Sequence, residues 1–186
     1  MHYCLIETEI GTIGLAWSAE GLARLQLPES TRDATERRLL KRCMDAAPAA
    51  VDATPSGLVD QLARYASGER VTFAEVPLDL NGIDDFARSI YRAARAVAWG
   101  ETTTYGALAK EVGAPDAARA AGGAMGRNPV PIIIPCHRVL ASGGKSGGFS
   151  AFGGVLTKER LLALEGVYLG GGTPVLPGLF SAPSHA

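Results

Sequence analysis

Little in this chain could build a metal centre or a disulfide framework. Of its 186 residues three are Cys (Cys4, Cys43, Cys136) and three are His (His2, His137, His185). The cysteines are scattered and form no CxxC pair, which excludes a disulfide-stapled scaffold. Two of the three histidines lie near the ends, so no cluster of metal ligands is expected and no cofactor is called for. Charge of one sign is also missing. The net charge is −1 and the pI about 6.3, whereas nucleic-acid-binding domains are usually basic. No stretch reaches the 18 or so apolar residues of a membrane span. The opening MHYCLIETEIG lacks the basic start and apolar run of a secretory signal. These absences lead to the expectation of a soluble, reduced, cytoplasmic protein. A hydrophobic content of 47% with 20% charged residues suffices to bury a core and is not that of a disordered chain.

The near-zero total conceals a split. Residues 1–85 carry 8 Lys and Arg against 14 Asp and Glu, whereas residues 86–138 carry 7 against 3. An acidic first half and a basic middle suggest two units with different tasks. The boundary falls at the turn Asn81-Gly82, giving residues 1–80, residues 81–166 and a Gly- and Pro-rich tail over 167–186.

In the first unit, residues 3–8, 12–17 and 22–27 read as strands separated by turns at Gly11 and Glu20-Gly21. A charged helix is expected over 31–45 and a loop over 46–56. A short helix over 58–67 follows, with Leu58, Leu62 and Tyr65 on one face and Gly68 as its stop. Residues 71–73 and 76–80 are strand-like. The second unit opens with a helix over about 84–98, whose apolar stripe includes Phe86, Ile90 and Val97. A second helix spans about 104–112, with Thr103 or Thr104 as its cap. A third runs from Asp116 to about Gly126. Its side chains are unusually small (Ala120, Ala121, Gly122, Gly123, Ala124), although each Gly costs a helix about 1 kcal/mol relative to Ala. Two helices joined by a short turn resemble a helix-turn-helix, and the small face suits either a tightly packed neighbour or the close approach of something large. The prolines at 129, 131 and 135 bracket an apolar run expected to be a stiff, buried rod that delivers Cys136. A glycine-rich loop over 142–154 and a last helix over about 156–165 complete the unit.

Cys136 stands apart from the other cysteines, which read as small buried hydrophobes. It abuts the only central His and an Arg, between a rigid segment and a mobile loop. A neighbouring His or positive charge is what turns a thiol into a nucleophile. Read from the residues alone, the chain fits a Cys-dependent hydrolase or transferase, a DNA-binding regulator with a structural Cys, or an α+β domain without chemistry.

Across residues 78–166 the chain resembles the O6-alkylguanine-DNA alkyltransferases (methylated-DNA–protein-cysteine methyltransferases). The resemblance rests on Leu78-Asp79-Leu80, on Gly100 to Gly106, and on Ala118-Arg119-Ala120 with Gly122-Gly123-Ala124-Met125. It continues through Asn128-Pro129, Ile134-Pro135-Cys136-His137-Arg138-Val139, Gly153-Gly154, Lys158, Leu161-Leu162 and Glu165-Gly166. It implies an α+β protein: a small antiparallel sheet with helices, ribonuclease H-like, followed by a helical winged-helix-like domain with a helix-turn-helix. The implied activity is single-turnover repair, in which O6-alkylguanine is flipped out of duplex DNA and its alkyl group passes irreversibly to Cys136. O4-alkylthymine stays open as a second substrate, and a non-reactive alkyltransferase-like lesion binder stays open as the alternative.

The resemblance also implies roles. His137 would draw the thiol proton through a water, Glu165 would orient His137, and Asn128 would tie the apolar segment to the helix-turn-helix. Arg119, beside Ala118, would wedge into the base stack from the minor groove. Tyr105 would push on the target phosphate and bond the flipped base, and Met125 would wall the pocket. The Cys136 carbonyl, the Val139 N–H and Ser150 would read the guanine edge. Arg138 and Phe149 complete the expected DNA and substrate contacts. A monomer, without metal, is implied. Two departures stand out. The loop before the last helix is lengthened, Phe149-Ser150-Ala151-Phe152-Gly153-Gly154, and Tyr91 occupies a position where relatives carry Trp.

Overall fold

The computed structural model describes residues 1–55 and 57–169, so most of the expected tail lies outside the described residues. The chain divides into two compact units that meet in sequence at Asp79–Leu80.

The first unit is built on a sheet of order β3-β2-β1-β4. Strands β1 (His2–Thr8), β2 (Gly11–Ser18) and β3 (Gly21–Gln26) form an antiparallel meander, and β4 (Ala47–Pro48) adds in parallel to β1. Central β2 buries Ile13 through Trp17 without interruption, as expected of a strand covered on both faces. Helix α1 (Arg32–Leu40) is capped by the Thr31 hydroxyl, which accepts from Ala34 N at 3.1 Å. Its Leu39 packs with Cys43 and Ala16. It comes so close to β2 that a Cβ at Gly14 would lie 3.1 Å from the Leu39 side chain. Helix α2 (Leu58–Ala66) buries Leu58, Leu62, Tyr65 and Ala66, the face expected from the sequence, and Gly68 follows it with φ +86°.

Three expectations change here. The charged helix ends at Leu40, not 45, and the following residues make turns. Part of the expected loop over 46–56 is β4. Residues 71–73 and 76–80 form no named strand: only Leu78 bridges Leu22, with Leu22 N donating to Pro77 O and Asp79 N to Leu22 O. Gly21 is what lets that segment in, because a Cβ there would lie 2.5 Å from Pro77 O.

The second unit gathers three helices, α3 (Asp85–Ala96), α4 (Tyr105–Glu111) and α5 (Ala118–Gly126). Asp84 caps α3 by accepting from Ala87 N at 2.8 Å, and Thr104 caps α4 by accepting from Ala107 N at 3.1 Å. Six residues join α4 to α5, which begins two residues later than expected. Tyr91 does more than fill space, since its hydroxyl donates to Ala124 O at 2.9 Å and pins α3 to α5. Short parallel strands β5 (Thr103–Thr104) and β6 (Val139–Leu140) tie the start of α4 to the residues just beyond Cys136. Helix α6 (Val155–Leu164) packs on the turn that carries Cys136.

Candidate active site

The segment before Cys136 is not the extended rod expected from its prolines. It doubles back on itself: Ile134 N donates to Val130 O at 2.9 Å, Pro131 bridges Ile134, and Ile132 adopts φ +73°, a costly conformation for a β-branched residue. Asn128 closes the fold. Its Nδ2 donates to Ile134 O at 2.7 Å, and its Oδ1 accepts from Val130 N at 2.9 Å. One side chain thus satisfies a donor and an acceptor that the prolines leave without ladder partners. Val130, Ile132, Ile133 and Ile134 are all buried, so the segment is firmly held and ends at a fixed place.

Cys136 opens a one-turn 3-10 helix, Cys136–Arg138. Its side chain is 7% exposed and lies at a pocket of about 420 Å³. Tyr105, Met125 and Phe149 supply the bulky walls of the pocket. Gly122, Gly126, Gly148 and Ser150 complete the lining. Burial pushes the Cys136 thiol above its ordinary range, while the Asn128 side chain and the Lys158 charge pull the other way without overcoming it. The resting group is therefore a thiol. Burial, with a smaller contribution from Cys136, likewise raises the Tyr105 phenol, which stays protonated and able to donate.

Behind the thiol lies an ion cluster. His137 Nε2 is 2.8 Å from Glu165 Oε1, and both side chains are fully buried. Arg138 Nε donates to Glu165 Oε2 at 2.8 Å and its second arm to Oε1 at 2.9 Å, while a third donor reaches Val97 O at 2.6 Å. Burial acts to raise the Glu165 pKa, but the hydrogen bonds from His137 and Arg138 outweigh it and hold the carboxyl at about 2. Glu165 is thus ionised. Burial lowers the His137 pKa, against the pull of Glu165, so the imidazole is neutral near pH 7. A neutral ring that donates Nε2–H to a carboxylate carries its lone pair on Nδ1, the tautomer a general base needs.

Five expected pocket residues are brought together here: Tyr105, Met125, Cys136, Phe149 and Ser150. Arg119 is exposed in the first turn of α5, beside half-buried Ala118. Arg138 departs from expectation. Instead of facing DNA it is 7% exposed, with its guanidinium spent on Glu165 and Val97 O, where it balances a buried carboxylate. The Val139 N–H also departs from expectation, because it donates to the Cys136 carbonyl within the same turn and is not offered to a base. That carbonyl keeps a second lone pair. The small face of α5 is explained by its surroundings. A Cβ at Gly122 would come no closer than 3.9 Å to Tyr105, and one at Gly126 would meet nothing within 4 Å. No packed neighbour requires these glycines; they keep the pocket side of the helix bare. Among the described residues no group of three or more His, Cys, Asp or Glu could hold a metal ion. None of their helices is long and apolar enough to cross a membrane.

A buried thiol at a pocket, next in the chain to a His–Glu pair, on a helical unit that follows an α/β unit, defines a class. The chain belongs to the 6-O-methylguanine DNA methyltransferase family. Residues 1–80 match its ribonuclease-like domain and residues 85–167 its DNA binding domain. The chain is similar to the methylated-DNA–protein-cysteine methyltransferase of Mycobacterium tuberculosis, with 39% identity over 170 residues, covering 89% of this chain and 92% of that one. It is also similar to the protein of that name from Methanosarcina acetivorans, with 36% identity over 176 residues, 89% of this chain and 99% of that one. Among solved structures it resembles the M. tuberculosis OGT in complex with DNA, at a TM-score of 0.72 and 39% identity, covering 89% of this chain and 92% of that chain. The two-unit α+β architecture is the one expected from the sequence.

Proposed function

We propose that this chain repairs alkylated DNA by direct reversal, taking the alkyl group from O6 of guanine onto Cys136 once and for all. The observation that carries the proposal is the position of Cys136: a thiol at the floor of a pocket, with a neutral His137 beside it in the chain and an ionised Glu165 fixing that imidazole. O6 cannot be reached inside a duplex, so the nucleotide is flipped into the pocket at a cost of a few kcal/mol. The thiol proton passes through a water to His137 Nδ1 as the sulfur attacks the alkyl carbon. The C–S bond forms, the C–O bond breaks, and the electron pair leaves with guanine. The alkyl thioether is stable and no second step frees the sulfur, so the protein acts once.

Site roles follow the same reading. Asn128 holds the segment that presents the sulfur. Tyr105, kept protonated, donates to the flipped base and crowds its phosphate. Met125 and Phe149 sandwich the base, and the Cys136 carbonyl and Ser150 read its edge. Arg119 enters the vacated stack from the minor groove, where the bare face of α5 allows close approach. Residues 1–80 brace the fold, and residues 81–166 bind DNA and accept the alkyl group. The protein acts as a monomer in the cytoplasm, a compartment in keeping with its three free cysteines. The test is a repair assay on duplex DNA carrying one O6-methylguanine. Unmodified guanine should be restored in an amount equal to the protein added and no more. Continued turnover, or intact lesion, overturns the reading.

A further inference from the structure

Helix α3 carries a tyrosine where a phenylalanine would fill nearly the same space. Tyr91 is 1% exposed, and a buried hydroxyl costs stability unless it is bonded. The Tyr91 hydroxyl donates to Ala124 O at 2.9 Å, near the end of α5. That carbonyl has a lone pair to spare because the last turn of α5 tightens. Asn128 N donates to Met125 O at 3.2 Å, one residue short of its α-helical partner. Arg127 N is shared between Gly123 O at 3.3 Å and Ala124 O at 3.0 Å. Burial and helix propensity do little to hold this end of α5. From Gly122 to Gly126 the buried side chains are Ala124 and Met125, and three of the five residues are Gly, which weakens a helix.

Helix α3 is itself well anchored. Asp84 caps its start, and Arg88 straps it to the preceding turn by donating to Ile83 O and to Leu80 O, each at 2.8 Å. Just past its other end, Val97 O accepts from Arg138 of the Cys136–Arg138 turn at 2.6 Å. One helix therefore holds the nucleophile's turn through Val97 and the α5 wall of the pocket through Tyr91. What α5 carries matters to the reaction. Gly122, Met125 and Gly126 line the pocket. Asn128, four residues after Ala124, ties down the segment that delivers Cys136. We propose that Tyr91 is a positioning residue for alkyl transfer. Its hydroxyl latches the end of α5, and with it the pocket wall and Asn128, in a fixed place relative to the Cys136 turn.

The inference rests on the repair reading above, and its test separates the two. Tyr91→Phe keeps the ring and removes the donor, while Ala124 O retains Arg127 N. Single-turnover methyl transfer at saturating lesion duplex is measured with duplex affinity, under conditions where urea curves show both proteins fully folded. Tyr91→Phe should slow transfer about tenfold, because a small misplacement of reacting groups is costly. Duplex affinity should stay unchanged, because it is carried by exposed charge and not by this buried bond. A hydroxyl that serves only the fold would lower the urea midpoint and leave the rate of the folded protein as it was. An unchanged rate therefore overturns the proposal, and so does a loss of rate matched by an equal loss of affinity. Amide hydrogen exchange without DNA tests the latch even if the chain accepts no methyl group. Exchange at Arg127 and Asn128 should quicken in Tyr91→Phe while that of α4 does not; unchanged exchange at those two amides overturns the latch. If Tyr91→Phe does not fold, the unmodified chain decides. Protection of the two amides close to that of α3 supports the latch, and exchange at the free-chain rate contradicts it.

Discussion

Glu165 Oε1 accepts from His137 Nε2 at 2.8 Å, and both side chains are sealed from solvent. Arg138 closes the same carboxylate from the other side. The three residues form one buried cluster, and the cost of taking charge out of water is offset only while all three are present. Glu165→Ala leaves the Arg138 guanidinium buried without its counter-charge, and should destabilise the protein by about 3–5 kcal/mol. Urea unfolding measures this. A loss below about 1 kcal/mol would mean that the cluster is not the buried ion pair described.

The cluster also sets the pH dependence of stability, through two groups that act in one direction. Folded Glu165 is held at about 2, whereas an ordinary Glu titrates near 4.3. Its contribution is complete above that ordinary value and is lost as pH falls towards about 2. Burial lowers His137 in the folded state, while the unfolded chain takes up its proton near pH 6.5. His137 therefore removes stability as pH falls below about 6.5. The urea midpoint should fall continuously from neutral pH to about pH 2, and Glu165→Gln should flatten the part of the curve below about pH 4.3. A midpoint that rises on acidification would contradict the assigned charge states.

Gly122 offers a test in which stability and function part. An added Cβ meets only ordinary contact with the Tyr105 ring, at 3.9 Å, and Ala is favoured over Gly inside a helix by about 1 kcal/mol. Gly122→Ala should therefore hold or raise the melting temperature while slowing repair of lesion duplex. Reduced stability with unchanged repair would show that the glycine serves the fold.

Arg119 is exposed at the start of α5. Acting as a wedge, it matters only when a base must be kept out of its stack. Arg119→Ala should slow repair in duplex DNA strongly and reaction with free O6-benzylguanine little. Equal losses on both substrates would refute the wedge.

Asn128 should behave as part of the scaffold that aims the thiol. Asn128→Ala orphans Val130 N, a cost of about 1–3 kcal/mol when buried, and leaves Ile134 O with Cys136 N as its remaining donor. The variant should lose both stability and iodoacetamide reactivity of Cys136. Retention of both would leave the Asn128 bridge without consequence.

Much of this was readable in the chain itself. Period-2 and helical patterns marked the meander and α2, and Thr104 was one of the two cap candidates for α4. The string from Pro135 to Val139 announced the nucleophile. Other features carried no local signal. Strands β4, β5 and β6 have two residues each, too few for a period, and exist because a partner strand lies beside them. Residues 76–80 have strand composition but only one bridging partner. Prolines at 129, 131 and 135 indicated stiffness but not the reversal at Ile132, which the Asn128 side chain and burial enforce. Arg138 looked like a DNA contact because a charge in a sequence has no direction. Its inward turn follows from Glu165, 27 residues on, and only the fold brings the two together.

The central claim is that Cys136 is the acceptor and is spent in one reaction. Intact-mass measurement of the protein after incubation with duplex DNA containing O6-methylguanine tests it most directly. The account predicts a gain of one methyl group per chain, located on the peptide containing Cys136 and absent from Cys136→Ala. No gain in the unmodified protein, or a gain that persists in Cys136→Ala, would contradict it.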